Sequence, residues 1–311
     1  MVPPTKPKII VIAGPTASGK TGLAVDLALS LGGEVINADS MQVYRYMDVG
    51  TAKPTVEERR GVVHHLLDVV DPDEEFNAAT FRRMALPLAK RICAGNVPCF
   101  IVGGTGLYIR SLLGGLVALP PSDPVLREQL TAECDEKGAP KLHQRLAELD
   151  PERAESIHPN DKLRIVRALE IIEQTHRPSS DLLKRHQFKT QDFLALKLCL
   201  QLEKEALYGR INQRTEKMIT GGLIEETKRL LKKGYTPHLK PMAAIGYRHV
   251  LNYLKGEWSL KEATTFLKRD TRRYAKRQMT WFKADPDMIP MDPKDRALAE
   301  EKIRVFLTES A

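Results

Sequence analysis

The sequence predicts an α/β protein with a mainly parallel sheet, interrupted by an all-helical insertion and completed by a helical C-terminal region. Three observations predict it. Over residues 1–116, short apolar runs at 9–13, 33–40 and 97–102 stand beside helix-period stretches at 22–29 and 78–94, the pattern of strands covered by helices. From Asp123 to about Gln187 only helical patterns occur. The run 194–200 reads as a strand returning to the sheet, after which helical periodicity dominates. The expected division is therefore 1–116 for the first part of the core, 117–190 for the insertion and 191–311 for the rest.

The first strand feeds directly into Gly14-Pro15-Thr16-Ala17-Ser18-Gly19-Lys20-Thr21, which fits the phosphate-loop pattern G-x-x-x-x-G-K-[ST] in its strand–loop–helix setting. Unpaired amides at a helix start and the helix dipole favour phosphate oxygens there. Gly14 and Gly19 permit the curvature, Lys20 adds a point charge, and the Thr21 hydroxyl is placed to ligate a Mg²⁺ bridging phosphate oxygens. Any pyrophosphate would satisfy the same amides, a nucleoside triphosphate included.

The second strand ends at Asp39 and Ser40, on the rim where open parallel sheets bind ligands. Asp39 is open to three roles: holding Mg²⁺ through water, acting as a general base, or capping the strand end. Residues 41–54 form a loop whose Lys53 is expected to line the site, and 64–72 reads as a strand containing His64 and His65. Adjacent residues of a strand face opposite ways, so the two histidines do not chelate one metal. Gly103-Gly104-Thr105-Gly106 is a second strand–glycine–helix junction, with Thr105 offering a hydroxyl to the same cleft.

In the insertion, Asp123 caps a helix with Pro124 in its first turn. Asn160-Asp161 opens another, on which Arg164 and Arg167 share a face while Leu163, Val166, Leu169 and Ile172 pack inward. Beyond the returning strand, Arg210 and Arg214, spaced i,i+4, either clamp a leaving phosphate or pair with surface glutamates. Lys268, Arg269, Arg272, Arg273, Lys276, Arg277 and Lys283, interleaved with Tyr274, Trp281 and Phe282, suit phosphate-backbone contact with base stacking, or a surface amphipathic helix.

The 311 residues are 42% hydrophobic and 28% charged, with a net charge of +8: a soluble globular composition whose charge favours a polyanionic partner. No apolar run approaches the roughly 18 to 20 residues of a membrane span, and no signal-peptide core precedes the first strand, so a cytoplasmic protein without a membrane partner is expected. Cys93, Cys99, Cys134 and Cys199 include no C-x-x-C pair and read as reduced thiols.

Taken in order, GPTASGKT, NADSMQVYRYMDVGTAKP, HHLLDVVDP, VGGTGLYI, IHPNDKLRIVRALE, AIGYR and TRRYAKRQMTWF resemble the motifs of the bacterial tRNA dimethylallyltransferase family, from about Lys8 to Lys283. The resemblance implies a P-loop NTPase-like core and transfer of a dimethylallyl group from dimethylallyl diphosphate to N6 of the adenosine 3′-adjacent to the anticodon, with Mg²⁺ and without ATP. It implies that Asp39 is the general base, that Thr105 and Lys20 serve the reacting region, and that Gly14 to Thr21, with Arg210 and Arg214, bind the diphosphate. It further implies that Asp39, Ser40, Met41, Gln42, Thr105, Arg127, Leu163, Arg164, Ile165, Val166 and Arg167 touch the tRNA anticodon stem-loop, and the basic run adds Arg272, Arg273 and Arg277. A monomer is expected. The first forty residues alone suit a phosphate-loop kinase using ATP equally well.

Overall fold

The computed structural model describes residues 6–117, 119–186 and 191–309. The chain divides into two compact units, Met1–Leu113 with Gln191–Ala311, and Gly114–Thr190. The expected end of the insertion, Thr190, lies outside the described residues.

The first unit opens with β1 (Lys8–Ala13), α1 (Lys20–Leu31), β2 (Glu34–Asn37), α2 (Val56–Arg59), β3 (His64–His65), α3 (Ala78–Ala94), β4 (Cys99–Gly103) and α4 (Gly106–Gly114). The second unit carries α5 (Pro124–Lys137), α6 (Ala139–Leu149), α7 (Pro151–Glu155), α8 (Lys162–Thr175) and α9 (Ser179–His186). The chain then returns through β5 (Leu194–Leu200), α10 (Lys204–Thr220), α11 (Leu223–Lys232), α12 (Tyr247–Leu254), α13 (Leu260–Lys283), β6 (Ile289–Met291) and α14 (Arg296–Thr308).

All strand pairs are parallel, in the order β3-β2-β4-β1-β5-β6. The early chain builds outward from β1 on one side and the late chain on the other, so strand order reverses at the carboxyl end of β1, where such sheets bind ligands. Both faces of the sheet are buried. Ile10 and Ile12 pack with Leu23 and Leu27 of α1 and Ile303 of α14, while Ile9 and Val11 face Phe81 and Ala85 of α3. That double burial explains the continuous apolar runs in place of alternation. Helices α11 to α13 join the second layer through Leu230, Tyr247, Val250, Leu267 and Phe282.

Two elements differ from expectation. The strand expected over 64–72 stops at His65, because Leu66 and Asp68 take positive φ of 61° and 55°, which no strand accommodates; only an isolated bridge joins Tyr44 to Val70 further on. Strand β6, three residues around Pro290, was hidden by its proline, which an edge position tolerates.

In the second unit Asp123 accepts hydrogen bonds from the Val125 and Leu126 amides, and Asp161 from the Arg164 amide, starting α5 and α8 where expected. Leu142, Leu146, Ile165, Val166 and Leu169 form its core. Leu163 does not pack inward: it is 82% exposed, because a position two before Ile165 is turned about 160° away from it around the helix.

Glu170 is wholly buried and accepts from Ser122 Oγ at 2.9 Å, the Asp123 amide at 2.9 Å and Arg127 Nη2 at 2.7 Å, with Arg167 Nη1 at 2.9 Å. Burial opposes its charge, yet hydrogen bonds from Arg167, Arg127 and Ser122 hold its carboxyl below the usual range. Replacing Glu170 with alanine is expected to destabilise this unit by about 2 kcal/mol, the scale of lost hydrogen bonds to a charged group, read as a lower urea midpoint.

Candidate active site

The phosphate loop turns where its glycines allow it. Gly14 has φ +144°, and a Cβ there would lie 2.9 Å from the Leu200 carbonyl oxygen; Gly19, at φ +95°, precedes the first turn of α1. Lys20 Nζ donates to the Pro15 carbonyl at 2.7 Å, folding its side chain back over the loop. Burial lowers the Lys20 ammonium to about 8, the Asp39 carboxylate works against that shift and the Arg214 charge adds to it. Thr16, Lys20, Thr21, Asp39, Arg214 and Gln278 line one narrow cleft.

Asp39 leaves the end of β2 with its Oδ1 accepting from the Met41 amide at 2.8 Å and the Gln42 amide at 3.4 Å. This turn aims the chain away from the sheet and leaves the carboxylate on the cleft wall. Thr105 is tied to the same corner: its Oγ1 accepts from the Ser40 amide at 3.0 Å and its own amide donates to the Ala38 carbonyl at 3.2 Å. Gly103 has to be glycine here, since a Cβ would meet the Ala38 carbonyl oxygen at 2.2 Å. Gln42 donates to the Thr51 and Ala52 carbonyls at 3.3 and 3.1 Å, and Ser40 and Met41 are half-buried.

Of the i,i+4 arginines of α10, Arg214 turns toward the cleft while Arg210 stays exposed and reaches the phosphate loop. Arg210 Nη1 donates to the Ser18 carbonyl at 3.3 Å and Arg214 Nη2 to the Thr51 carbonyl at 3.3 Å. Burial lowers the Arg214 pKa while Asp39 opposes the shift. Two cationic side chains, Lys20 and Arg214, thus share a poorly solvated wall with one carboxylate.

Gln278 escaped the sequence reading. It is 6% exposed; its Oε1 accepts from the Thr16 amide at 2.8 Å and its Nε2 donates to the Gly104 carbonyl at 2.9 Å, joining α13 to the phosphate loop and to the junction after β4. A Cβ at Gly104 would lie 2.2 Å from Gln278 Nε2, and one at Gly106 2.0 Å from Trp281 Nε1, so those glycines admit α13. The only signal was a neutral residue amid the basic run.

The opposite face of α13 carries the basic residues. The Arg272 guanidinium lies 5.7 Å over the Tyr208 ring and that of Arg277 5.8 Å over Tyr274, while Arg273 is exposed, 3.7 Å from Asp270. In the second unit Arg164 is exposed beside Asp161 at 3.4 Å, and Leu163 is exposed with it. The side chains of Ile165 and Val166 are buried in that unit's core, on the apolar face that α8 needs for packing. Arg127 and Arg167 are engaged by Glu170. Lys53 lines a pocket together with Lys20, Thr21 and Arg214, and its Nζ donates to Asp48 Oδ1 at 2.7 Å, Asp68 Oδ1 at 2.5 Å and the Tyr44 carbonyl at 2.8 Å.

The histidines separate as strand geometry requires. His64 lines the cleft, its Nδ1 2.9 Å from the Val62 carbonyl, and burial lowers its pKa. His65 Nε2 lies 2.6 Å from Glu34 Oε2. All four cysteines are free, and among the described residues no helix is long and apolar enough to cross a membrane.

Family models described as IPP transferase and isopentenyl transferase match residues 42–285 and 7–70. The chain is 51% identical over 292 residues to a tRNA dimethylallyltransferase of Desulfosudis oleivorans, covering 94% of this chain and 93% of that one, and 50% identical over 282 residues to one of Geobacter sulfurreducens, covering 91% of each. Among solved structures it is similar to the tRNA isopentenylpyrophosphate transferase of Bacillus halodurans, with 40% identity, a TM-score of 0.72 and 97% of both chains covered. It is also similar to a eukaryotic dimethylallyltransferase acting on tRNA, with 29% identity, a TM-score of 0.79 and coverage of 96% of this chain and 78% of that one.

Proposed function

This chain belongs to the IPP transferase family, and on that premise we propose that it transfers the dimethylallyl group of dimethylallyl diphosphate to N6 of the adenosine 3′-adjacent to the tRNA anticodon, releasing pyrophosphate. The observation that carries the chemistry is the cleft at the phosphate loop that Lys20, Thr21, Asp39 and Arg214 line together. An allylic carbon bound to pyrophosphate needs little more than a stabilised leaving group and an aligned nucleophile. N6 forms a bond to the allylic carbon as the carbon–oxygen bond breaks; the electron pair departs with the pyrophosphate, and the N6 proton passes to the Asp39 carboxylate.

Lys20, Arg214 and the loop amides take up the charge that develops on the diphosphate, while Arg210 holds the loop backbone through Ser18. Thr105, by fixing Ser40, keeps Asp39 at the cleft corner. Thr21, at the first turn of α1 and on the cleft wall, offers the hydroxyl oxygen that Mg²⁺ accepts alongside phosphate and water ligands. When bound there, Mg²⁺ supplies further neutralisation of the pyrophosphate. The target adenosine has to leave its stack to reach this cleft, as base-modifying enzymes require.

The basic face of α13 and the exposed Leu163 and Arg164 of α8 suit the anticodon stem-loop, and the protein on this reading works as a cytoplasmic monomer. Replacing Arg272 and Arg273 with alanine is expected to weaken tRNA binding and to flatten the slope of log K against log salt by roughly one per lost phosphate contact; equal slopes by filter binding would place those charges elsewhere. A kinase reading is not favoured, because the relatives are prenyltransferases. The test is pyrophosphate release from dimethylallyl diphosphate. Release that needs unmodified tRNA and proceeds without ATP supports the proposal, and ATP turnover on a small acceptor with no such release refutes it.

A further inference from the structure

Glu226, on α11, is not part of the cleft, yet it is the most fully used carboxylate near it. It is 2% exposed. Its Oε2 accepts from the amides of Asp48 and Val49 at 2.9 and 2.8 Å, and its Oε1 from the amide of Gly50 at 2.9 Å and the Tyr247 hydroxyl at 2.7 Å. Three consecutive amides around one carboxylate form the kind of nest that normally receives an anionic ligand. Here the ligand is the protein's own side chain. Tyr247 closes the arrangement from the other side: a Cβ on Gly50 would lie 2.4 Å from its ring, so glycine lets the turn sit flat against it.

The turn held in this way presents the carbonyl of Thr51 to Arg214 Nη2 and to Gln42 Nε2, both at 3.3 Å. Thr51 Oγ1 donates to the Met47 carbonyl at 2.7 Å, and Lys53 secures the far end through Asp48 and Tyr44. Arg214 comes from α10, and among the described residues no ion pair within the turn directs it. The Thr51 carbonyl is its hydrogen-bonding guide, and that carbonyl's position depends on a carboxylate buried one residue layer away. A guanidinium in a desolvated cleft stabilises a departing pyrophosphate only where its N–H groups already point.

We infer that Glu226, with Tyr247, is a positioning residue for the transfer reaction: by clamping residues 48–50 it presets Arg214 toward the diphosphate leaving group. The inference rests on the assignment of Arg214 to the diphosphate proposed above. Glu226→Gln is the informative change, since its Oε1 still accepts from Gly50 and Tyr247 while its NH₂ opposes the amides of Asp48 and Val49, donor against donor.

The test is a double-mutant cycle in the intact chain with dimethylallyl diphosphate and unmodified tRNA, reading kcat, inhibition by inorganic pyrophosphate, the tRNA Kd and the Tm. Glu226→Gln is expected to lower kcat about 10-fold or more, as small misplacements of a catalytic group do, and to weaken pyrophosphate inhibition comparably while leaving the tRNA Kd unchanged. In an Arg214→Gln background the same change should cost less than about twofold, because residues acting through one group are not additive. A full additional loss in that background, or an unchanged kcat in Glu226→Gln alone, overturns the inference. Should Glu226→Gln not fold, Tyr247→Phe, which removes a single donor, is judged by the same cycle. An Arg214→Gln enzyme with normal kcat and pyrophosphate inhibition would remove the Arg214 assignment itself and the inference with it, an outcome distinct from additivity.

Discussion

Replacing Asp39 with asparagine should lower the rate of prenyl transfer by about 10²- to 10⁴-fold, the usual contribution of a positioned general base. Asparagine separates the two things Asp39 does. Its Oδ1 still accepts from the Met41 amide, the 2.8 Å bond that shapes the corner, so the fold and the diphosphate site persist. What is lost is an oxygen able to accept the N6 proton. An adenine amine is a weak nucleophile, and without proton removal the C–N bond forms against a developing positive charge. Single-turnover rates with saturating tRNA and diphosphate measure this directly. A rate within a few-fold of wild type would show that the proton leaves by another route.

The second large effect belongs to Lys20. Its replacement with alanine is expected to reduce kcat/KM for the diphosphate by about 10²- to 10³-fold, the scale of removing one preorganised charge from an oxyanion site. The effect carries a pH signature. Burial lowers the Lys20 ammonium to about 8, and the protonated form is the one that attracts phosphate. In the wild type, kcat/KM should hold level below that value and fall as pH rises through it, since kcat/KM reports the free enzyme. In Lys20→Ala that alkaline limb should vanish. A limb that persists in the variant would belong to another group.

Much of this site was legible because its parts are local. Gly14 and Gly19 announce a loop that only glycine can turn, Lys20 and Thr21 follow at fixed spacing, and Asp39 stands just past the end of a short strand. Asp123 and Asp161 cap helices by contacts with residues two and three positions on. The parts that were missed are made between distant positions. Thr16 and Gln278 are 262 residues apart, and Asp48 and Glu226 are 178 apart; no periodicity or spacing encodes such a pair. Gln278 was further disguised by its setting, a neutral side chain in a run whose charge drew attention to the opposite face of α13. Nothing local sets Glu226 apart from the other charged residues of α11. Family resemblance placed residues 163–167 at the RNA as a block, whereas helix geometry divides the block: Leu163 and Arg164 face outward, Ile165 and Val166 hold the core, and Arg167 closes on Glu170.

The central claim is a prenyl transfer to one adenosine, and label transfer tests it most directly. Dimethylallyl diphosphate labelled in the prenyl group would be incubated with Mg²⁺, without ATP, with two unmodified tRNAs that differ only in bearing adenosine or guanosine on the 3′ side of the anticodon. Label entering only the adenosine tRNA, recovered on that nucleoside after digestion, is the result predicted. Label in neither tRNA, or in both alike, would contradict the assignment of this cleft to adenosine N6 prenylation.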